Sequence, residues 1–515
     1  MRKRMGRVGS SSALTMLLAA CATSHGDNAN LPHNSTLARL EKLAEIDPRF
    51  QSYNIEMVQV TGGRFWAPYG GPNGETHRYR EPVDLANPRL RALASHLSPA
   101  YLRVSGTWAN TTYIAAEGEY LAEPPNGFGQ VLTRRQWQGV IDFSNALGVP
   151  IITSFAASAG TRDGAGRWTA KHADRFLALT KSAGGRIHAA EFINEPSMIV
   201  PGDMPKDYNS TTYGLDFRVF AKWARQNAPE MILLGPGNLG EKTVDPVIAA
   251  KLMAPDGAMA SAALIKETGK DLDAISWHFY GGVSPRCGGG SGLSAPDAAL
   301  SNEWLDRTLI EYEAMAKARN ELAPGKSLWL TETAQAACGG SPWAAGFRDS
   351  FRYLNQLGTL AQKGVKVVIH NTFAASEYGL IDQNTMEPRP NYWAAVLWKK
   401  LMGSIVLEPP QTSQPTLRIF AHCRPAMNGG IGLMALNPGD TAMPLAFRGV
   451  GKIWIMQAEN VDSGPVKING RIPSLTTSGL ITGIVGERFR GEFMLPSRSI
   501  AFASVDTAAN SNCKN

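Results

Sequence analysis

The 515-residue sequence predicts an α/β fold in which a (β/α)8 TIM barrel is followed by a C-terminal all-β sandwich domain. Three observations support this prediction. Near-continuous apolar runs alternate with amphipathic stretches up to about residue 398, as in a parallel sheet covered by helices. There are eight such units, enough to close a barrel, and no Gly-x-Gly-x-x-Gly follows the first to favour a doubly wound open sheet. From about residue 399, short strands spaced by turn signals replace the helical periodicity.

The first 21 residues are predicted to be an export signal. A basic start is followed by an apolar core too short to span a bilayer and by Leu18-Ala-Ala-Cys21, which resembles the lipobox of bacterial lipoproteins. Cys21 would then be lipidated; the alternative is an ordinary signal peptide cleaved nearby. Either way we expect export to the bacterial cell envelope or secretion, with membrane contact only through the lipid. Residues 22–35 follow as a polar linker, and 36–54 as a segment that could pack on the sandwich.

The remaining elements are assigned from periodicity, with the barrel domain at 55–398 and the sandwich domain at 399–513. The predicted barrel strands are 55–60, 100–106, 150–157, 189–196, 231–237, 274–281, 327–334 and 365–372. Two of the predicted helices are 88–97 and 304–315. The predicted sandwich strands are 416–423, 431–437, 443–448, 452–458 and 492–505.

Composition and charge argue against several classes of partner. A hydrophobic content of 43% with 18% charged residues is typical of a globular protein. The formal net charge of +7 includes Arg2, Lys3, Arg4 and Arg7 in the export signal. No basic run interleaved with aromatic residues occurs elsewhere, so no nucleic-acid partner is predicted. No Cys-x-x-Cys or His/Cys spacing indicates a metal, and no cofactor is predicted.

Export would place the cysteines in an oxidising compartment, where disulfides persist. With Cys21 acylated, four cysteines remain and permit three pairings. A Cys423–Cys513 bridge would pin the C-terminal tail. Cys287 and Cys338 both lie in glycine-rich loops after strands and form a plausible second pair.

Two predicted strands lead from an apolar run into a glutamate. Strand four runs into Glu195 and strand seven into Glu332. A carboxylate at the end of a buried strand is unfavourable unless it has a partner or a function, although one isolated case could be a helix cap. Because the carboxyl ends of barrel strands form one face, both side chains should converge there. Two carboxylates flanking a cleft are what glycoside hydrolysis requires.

Other side chains near these strand ends could assist. The amide of Asn194 could bind a sugar 2-hydroxyl, a contact that strengthens in the transition state. On strand six, Tyr280 could hold Glu332 by a hydrogen bond and His278 could line the sugar site, or both could pack in the core. Loop arginines that could contact an acidic substrate are Arg64, Arg78, Arg80, Arg162 and Arg286.

Five segments, in one order along the chain, resemble glycoside hydrolase family 79, the family of heparanases and β-glucuronidases. They are Leu97-Ser-Pro-Ala-Tyr-Leu-Arg-Val-Ser-Gly-Thr107, Trp329-Leu-Thr-Glu-Thr333, Pro390-Asn-Tyr-Trp-Ala-Ala-Val-Leu-Trp-Lys-Lys-Leu-Met402, Leu417-Arg-Ile-Phe-Ala-His-Cys423 and Val466-Lys-Ile-Asn-Gly470. The resemblance implies a barrel with a β-sandwich, retention of configuration and cleavage of β-linked glucuronic acid from a glycan or glycoside. It also implies that Glu195 is the acid/base, that Glu332 is the nucleophile, and that Cys423 pairs with Cys513.

The resemblance further implies a uronic-acid subsite. Its lining would be Gly106, Thr107, Asn194, Tyr280 and Tyr378, with the backbone N–H groups of Gly339 and Gly340 binding the carboxylate. The chain departs from the family pattern at Cys338, where a tyrosine is common.

In this resemblance, the loop at 115–130 corresponds to the long excised linker of the mammalian family member. This loop is short and acidic, which argues against affinity for sulfated polymers and favours exo over endo (heparanase-like) action. Competing hypotheses are the same mechanism on another sugar, and a non-catalytic carbohydrate-binding lipoprotein.

Overall fold

Eight parallel strands close into a barrel at the centre of the computed structural model, which describes residues 37–71, 74–198, 204–205, 207–243, 259–445 and 450–514. The predicted export signal, Cys21 and the linker lie outside these residues. None of the described helices is long and apolar enough to cross a membrane.

The strands are β1 (Lys42–Glu45), β2 (Gln51–Glu56), β3 (Gly63–Trp66), β4 (His77–Arg80), β5 (Leu102–Ser105), β6 (Thr112–Ile114), β7 (Gln130–Leu132), β8 (Ile151–Ser154), β9 (Ile187–Glu191), β10 (Ile232–Leu239), β11 (Ala274–Val283), β12 (Ser327–Ala337), β13 (Val367–His370), β14 (Ile405–Leu407), β15 (Arg418–Cys423), β16 (Ile431–Asn437), β17 (Met443–Leu445), β18 (Val450–Gln457), β19 (Lys467–Ile468), β20 (Ser474–Leu475), β21 (Ile481–Thr482), β22 (Glu487–Arg490), β23 (Phe493–Leu495) and β24 (Ser499–Val505). The described α-helices are α1 (Met57–Thr61), α2 (Pro88–Ser95), α3 (Arg134–Leu147), α4 (Lys171–Ser182), α5 (Ser210–Asn227), α6 (Ser261–Thr268), α7 (Asn302–Leu322), α8 (Arg348–Gln362) and α9 (Pro390–Leu401).

The barrel confirms the predicted fold class. Its strands pair in the order β2, β5, β8, β9, β10, β11, β12 and β13, and β13 pairs in parallel with β2 to close it. These strands are buried on both faces, which explains the consecutive apolar residues in several of them, although the first, β2, is largely polar and equally buried.

The first barrel strand lies earlier than predicted. It spans Gln51–Glu56 instead of 55–60, and residues 57–61 form the short helix α1. Glu56 and Gln59 form a capping box, in which each side chain binds the other residue's backbone, and this starts a helix despite the β-branched Val58 and Val60. The barrel therefore takes in part of the segment 36–54 that the sequence analysis assigned outside it.

The strands that carry the two glutamates also differ from the prediction. Strand β9 ends at Glu191, and Glu195 lies in the following turn with φ of 45°. Strand β12 continues to Ala337, so Glu332 lies within it. His278 pairs with Glu332 whereas Trp277 pairs with Leu330, so β12 has a bulge between these two pairs. A bulge of this kind re-aims the side chains beside it.

The C-terminal domain is built on an eight-stranded antiparallel sheet. Its strand order is β1, β14, β15, β16, β24, β18 and β19, with β22 also paired to β18. Strand β1 pairs with β14, so residues 42–45 join this sheet, as the sequence allowed. The predicted strand 492–505 is two strands, β23 and β24, and the end of the predicted strand 443–448 lies outside the described residues.

The two faces of this sheet pack on different partners. Phe420 and Phe502 belong to the same core as the barrel helices, and Trp398 on α9 lies edge-on to His422 with ring centroids 5.2 Å apart. The opposite face forms a second core with Leu37 and with the short β17–β23 ribbon. The barrel helices therefore cover one face, and the second sandwich layer is small.

The structure contains two disulfides, Cys287–Cys338 and Cys423–Cys513. Cys423 ends β15 and Cys513 lies in the last described turn, Ser511–Cys513. Cys287 follows β11 and Cys338 follows β12, so this bridge joins two neighbouring loops at the carboxyl end of the barrel.

Candidate active site

A cavity of about 540 Å³ opens at the carboxyl end of the barrel, a volume typical of small-molecule sites. Its walls come from the ends of most barrel strands. The lining residues are Glu56, Trp66, His77, Thr107, Trp108, Thr111, Gly129, Glu195, Met198, Leu239, Tyr280, Gly282, Val283, Cys287, Glu332, Ala337, Cys338, Asn371 and Tyr378.

The structure brings the two predicted glutamates together on this wall. Glu195 and Glu332 are 8% and 4% exposed. One oxygen of each carboxylate and one ring nitrogen of His278 all lie within 4.8 Å of one another. Tyr280 donates a hydrogen bond to Oε1 of Glu332, as the sequence suggested.

The two carboxyl groups have opposite pKa shifts. Burial raises the pKa of Glu195, and the negative charge of Glu332 adds to that rise against the hydrogen bond from His278. Burial also opposes ionisation of Glu332, but the charges of His278 and Arg103 and the hydrogen bond from Tyr280 outweigh it and lower its pKa. Glu332 is therefore the member of the pair that ionises more readily, and Glu195 the one that holds its proton more strongly.

Arg103 on β5 is a central residue of the site that the sequence analysis did not identify. Its side chain is fully buried, and Nη1 donates to Glu332 Oε2 at 2.6 Å. Its Nη2 donates to Glu191 Oε2 at 3.0 Å and to Asn194 Oδ1 at 2.8 Å. A lone arginine inside the apolar run at 100–106 was the available signal, because such a charge must be paired.

His278 and Glu191 lie behind the two glutamates and do not line the cavity. His278 Nδ1 lies 3.0 Å from Glu195 Oε1, and Nε2 lies 3.6 Å from Glu191 Oε2. Burial lowers the pKa of His278, but Glu332, Glu191 and Glu195 outweigh it and raise the pKa to about 9. Burial also opposes the charge of Glu191, yet Arg103, His278 and a hydroxyl hold its pKa well below the usual range.

A third carboxyl group, Glu56, was also missed. Its Oε1 accepts from Asn371 at 2.9 Å, and its buried Oε2 has no hydrogen-bond partner. Burial and the nearby charge of Glu332 raise its pKa well above the ordinary value. A Cβ atom at Gly106, whose φ is 101°, would lie 1.6 Å from Glu56 Oε2. Gly106 therefore makes room for Glu56 instead of lining the cavity as predicted.

The remaining predicted subsite residues divide into two groups. Thr107 and Tyr378 line the cavity, and Asn194 is buried beside it with an unpartnered Nδ2. Gly339 and Gly340 are absent from the wall, and the Gly340 N–H donates to Ala336 O at 3.2 Å. The turn after β12 thus uses the Gly340 N–H internally, whereas the prediction assigned this N–H to a substrate carboxylate.

None of the five arginines predicted to lie in loops lines the cavity, and Arg64, Arg78 and Arg80 lie on the β3–β4 hairpin. Arg162 donates to Asp216 at 2.8 Å, and Arg286 to Glu377 at 2.7 Å. The others are held locally: Arg80 by Trp66 O, and Arg64 and Arg78 near Glu75.

Glu195, His278 and Glu332 are close enough to hold a metal ion. However, Arg103 already binds Glu332 and would lie beside any such ion, so charge repulsion disfavours a metal here.

The chain is similar to known proteins in both sequence and fold. The model "Glycosyl hydrolase family 79, N-terminal domain" matches residues 84–358, more than half of the chain. Mus musculus heparanase is 26% identical over 552 residues, covering 92% of each chain. Baicalin-beta-D-glucuronidase of Scutellaria baicalensis is 28% identical over 224 residues, 42% of this chain and 41% of its own.

A solved structure extends the likeness at the level of fold. The 4-O-alpha-L-rhamnosyl-beta-D-glucuronidase from Fusarium oxysporum superposes with a TM-score of 0.60 at 13% identity, covering 90% of this chain and 97% of that chain. With more than half of its length matched by the family model, the chain belongs to glycosyl hydrolase family 79 and is a glycoside hydrolase.

Proposed function

We propose that this protein is a retaining exo-β-glucuronidase, with Glu332 as nucleophile and Glu195 as acid/base. The observation that carries this proposal is that one oxygen of Glu195 and one oxygen of Glu332 lie within 4.8 Å of each other. Retaining glycosidases hold these groups about 5–5.5 Å apart, whereas inverting enzymes leave about 6.5–9.5 Å for a water molecule. The opposite pKa shifts of the pair agree with these roles.

In the first step, the ionised Glu332 attacks the anomeric carbon and Glu195 gives its proton to the departing glycosidic oxygen. The bond to the leaving group breaks as the ester to Glu332 forms. The negative charge thereby moves from Glu332 to Glu195, where His278 Nδ1–H can donate to it.

In the second step, Glu195 is the base. Esterified Glu332 carries no charge, so the field that raised the pKa of Glu195 is gone. Glu195 takes a proton from water as the water oxygen attacks the anomeric carbon, and Glu332 leaves as a carboxylate. Two inversions give net retention.

Tyr378, Thr107 and Asn194 are the proposed contacts of the uronic acid. Burial and the nearby acids raise the pKa of Tyr378 well above its usual value, so its hydroxyl stays protonated and can donate to a carboxylate. The unpartnered Nδ2 of Asn194 is available to the sugar 2-hydroxyl. No described lysine or arginine lines the cavity, which disfavours a sulfated substrate.

Aryl β-glucuronide hydrolysis tests the function. We expect the wild type to prefer an aryl β-glucuronide to the matching β-glucoside, and ¹H NMR to show the β-anomer of glucuronic acid first. Glu332→Gln should lose about 10⁴-fold or more in kcat while still binding the sugar. The α-anomer as first product would exclude retention, and equal use of the glucoside would exclude the substrate class.

Product sizes separate exo from endo action. The purified protein is incubated with hyaluronan, heparosan and arabinogalactan. Release of monomeric glucuronic acid alone supports the exo proposal, whereas intermediate oligosaccharides indicate an endo-β-glucuronidase.

We also propose export with lipidation of Cys21, from the lipobox-like sequence. Metabolic labelling with a palmitate analogue should label the wild type and not Cys21→Ser. An unlabelled wild type that is released from cells would support the ordinary signal peptide instead.

A further inference from the structure

Glu191 is a buried carboxylate that no step of the proposed reaction uses. It is fully buried at the end of β9, four residues before Glu195, and does not line the cavity. Its Oε1 accepts from Ser276 at 2.8 Å and from Thr331 at 2.6 Å, and its Oε2 accepts from Arg103 at 3.0 Å. A carboxylate with this many donors is held ionised and in one orientation.

The backbone is shaped around this carboxylate. Gly237 on β10 has φ of 63°, and a Cβ atom there would lie 2.7 Å from the carboxyl group of Glu191. Any side chain at Gly237 would therefore displace Glu191. The site accommodates a charged group that is inaccessible to substrate, which points to a role exerted through its neighbours.

Those neighbours include both cations of the site. Arg103 bridges Glu191 and Glu332, and His278 lies between Glu191 and Glu195. Although Arg103 Nη2 lies 3.2 Å from His278 Nε2, its two hydrogens have nearer acceptors in Asn194 and Glu191. Both ring nitrogens of His278 can therefore carry protons.

Counting charges shows what Glu191 contributes. At rest, the anions Glu191 and Glu332 face the cations Arg103 and His278, while Glu195 is protonated. After the first step, Glu332 is an uncharged ester and the negative charge is on Glu195, whose Oε1 lies 3.0 Å from His278 Nδ1. The buried charge is balanced in both states, and this holds only while Glu191 remains ionised. Loss of that anion would leave two cations against one anion.

We propose that Glu191 is a positioning residue that keeps His278 positively charged, so that the carboxylate formed at Glu195 always faces a cation. This inference rests on the proposed glycosidase function. Other titratable groups that face this network are Glu56 and Tyr280 on the cavity side and Tyr213 on α5.

The test compares Glu191→Gln with Thr331→Val, which removes a hydrogen bond to Glu191 but keeps its charge. The pH dependence of kcat/KM is measured on an aryl β-glucuronide, since its basic limb reports loss of the Glu195 proton. In Glu191→Gln, His278 should become neutral, and loss of a cation 3.0 Å away should move this limb up by about one pH unit. Thr331→Val should leave the limb in place.

The direction of the shift decides the outcome. If His278 stays charged without Glu191, Glu195 loses only a nearby anion and the limb moves to lower pH, which overturns the proposal. An unmoved limb also overturns it, because a purely structural role changes the rate without changing the titration.

A second measurement is made on the wild type, so it does not depend on whether the Glu191→Gln variant folds. ¹⁵N NMR of histidine-labelled protein, with His278 assigned by its loss in His278→Gln, should show both ring nitrogens protonated at pH 7. A neutral ring at pH 7 sinks the proposal even if the enzyme is active. Conversely, a wild type inert on every β-glucuronide refutes the function while the ring still reports the charge.

Discussion

Neighbouring charges, more than burial, decide which carboxyl groups of the cavity are ionised. Glu56, Glu195 and Glu332 are all buried, and burial alone would raise the pKa of each. Of the three, only Glu332 has a lowered pKa, because the charge of His278 and the guanidinium of Arg103 at 2.6 Å outweigh its burial. These two cations therefore favour the charged form of Glu332, whereas the pKa values of Glu56 and Glu195 are raised.

Glu56→Gln should stabilise the protein in a pH-dependent way. The pKa of Glu56 is raised, so as pH rises above about 4.5 the unfolded chain ionises this group before the folded protein does. The wild type thus loses up to about 1.4 kcal/mol of unfolding free energy per pH unit, and the glutamine variant does not. We expect the gain in melting temperature to grow from pH 5 to pH 7. A gain independent of pH would contradict the raised pKa.

Tyr378→Phe should weaken selectivity for uronic acid. A hydrogen bond to a charged group contributes about 1.5–3 kcal/mol, so KM for an aryl β-glucuronide should rise about ten- to a hundredfold. KM for the matching β-glucoside should stay unchanged, because that sugar has no carboxylate. Tyr69→Phe is the matched control, since its hydroxyl binds Gly340 O outside the cavity wall. Equal losses on both sugars would remove Tyr378 from carboxylate recognition.

The sequence pointed to Glu195 and Glu332, the two proposed reacting residues, but not to the side chains that hold them. Glu195 and Glu332 each follow an apolar run, and that contrast is visible in the sequence even though Glu332 lies within β12 and not at its end. Arg103 and Glu191 are single charges within apolar runs, and their pairing across three strands appears only once the barrel closes. The internal hydrogen bond of Gly340 depends on the turn geometry, which the glycine pair alone does not determine.

At the scale of elements, a disulfide joins the loops after β11 and β12 to each other, and hydrogen bonds join them to the β3–β4 hairpin. Cys287 and Cys338 are bonded, and both line the cavity. Arg286 donates to Gly340 O at 3.1 Å and to Ala67 O at 2.5 Å, and it stacks on the ring of Tyr69. These contacts hold the part of the cavity wall that contains Cys287 and Cys338.

Removal of the Cys287–Cys338 bridge should therefore affect substrate binding as well as stability. The double serine variant should lose about 2–5 kcal/mol of unfolding free energy and show a higher KM. Cys423 and Cys513 provide the control, because that bridge lies in the C-terminal domain and away from the cavity wall. Their double serine variant should lose comparable stability with KM unchanged. An unchanged KM in both variants would mean that Arg286 alone holds the wall.

Element boundaries were less predictable than element types. The β-branched run at 57–61 favoured a strand, but the mutual caps of Glu56 and Gln59 start a helix there. The apolar residues of the turn that carries Glu195 predicted a strand there, but the backbone leaves the sheet after Glu191. In both places, specific side-chain and turn geometry overrides local propensity.

At the scale of the whole molecule, the C-terminal sheet depends on the barrel to cover one of its faces. The change of periodicity near residue 399 predicted a second, all-β layer. It could not show that α8 and α9 would serve as the missing layer, since alternating apolar strands look the same whatever covers them.

Gly358 on α8 lies against Phe420 of the sheet, so its substitution tests this dependence. A Cβ atom there would lie 2.4 Å from the ring of Phe420, and overpacking of this kind lowers stability by about 1–3 kcal/mol. Gly139 on α3 is the matched control, because nothing lies within 4 Å of its Cβ position. Gly139→Ala should be neutral or stabilising by up to about 1 kcal/mol, since alanine favours helix. Denaturant unfolding of Gly358→Ala should show one destabilised transition, because the barrel and the sheet share one core. A separate, earlier transition of the sheet would show that the two layers fold independently.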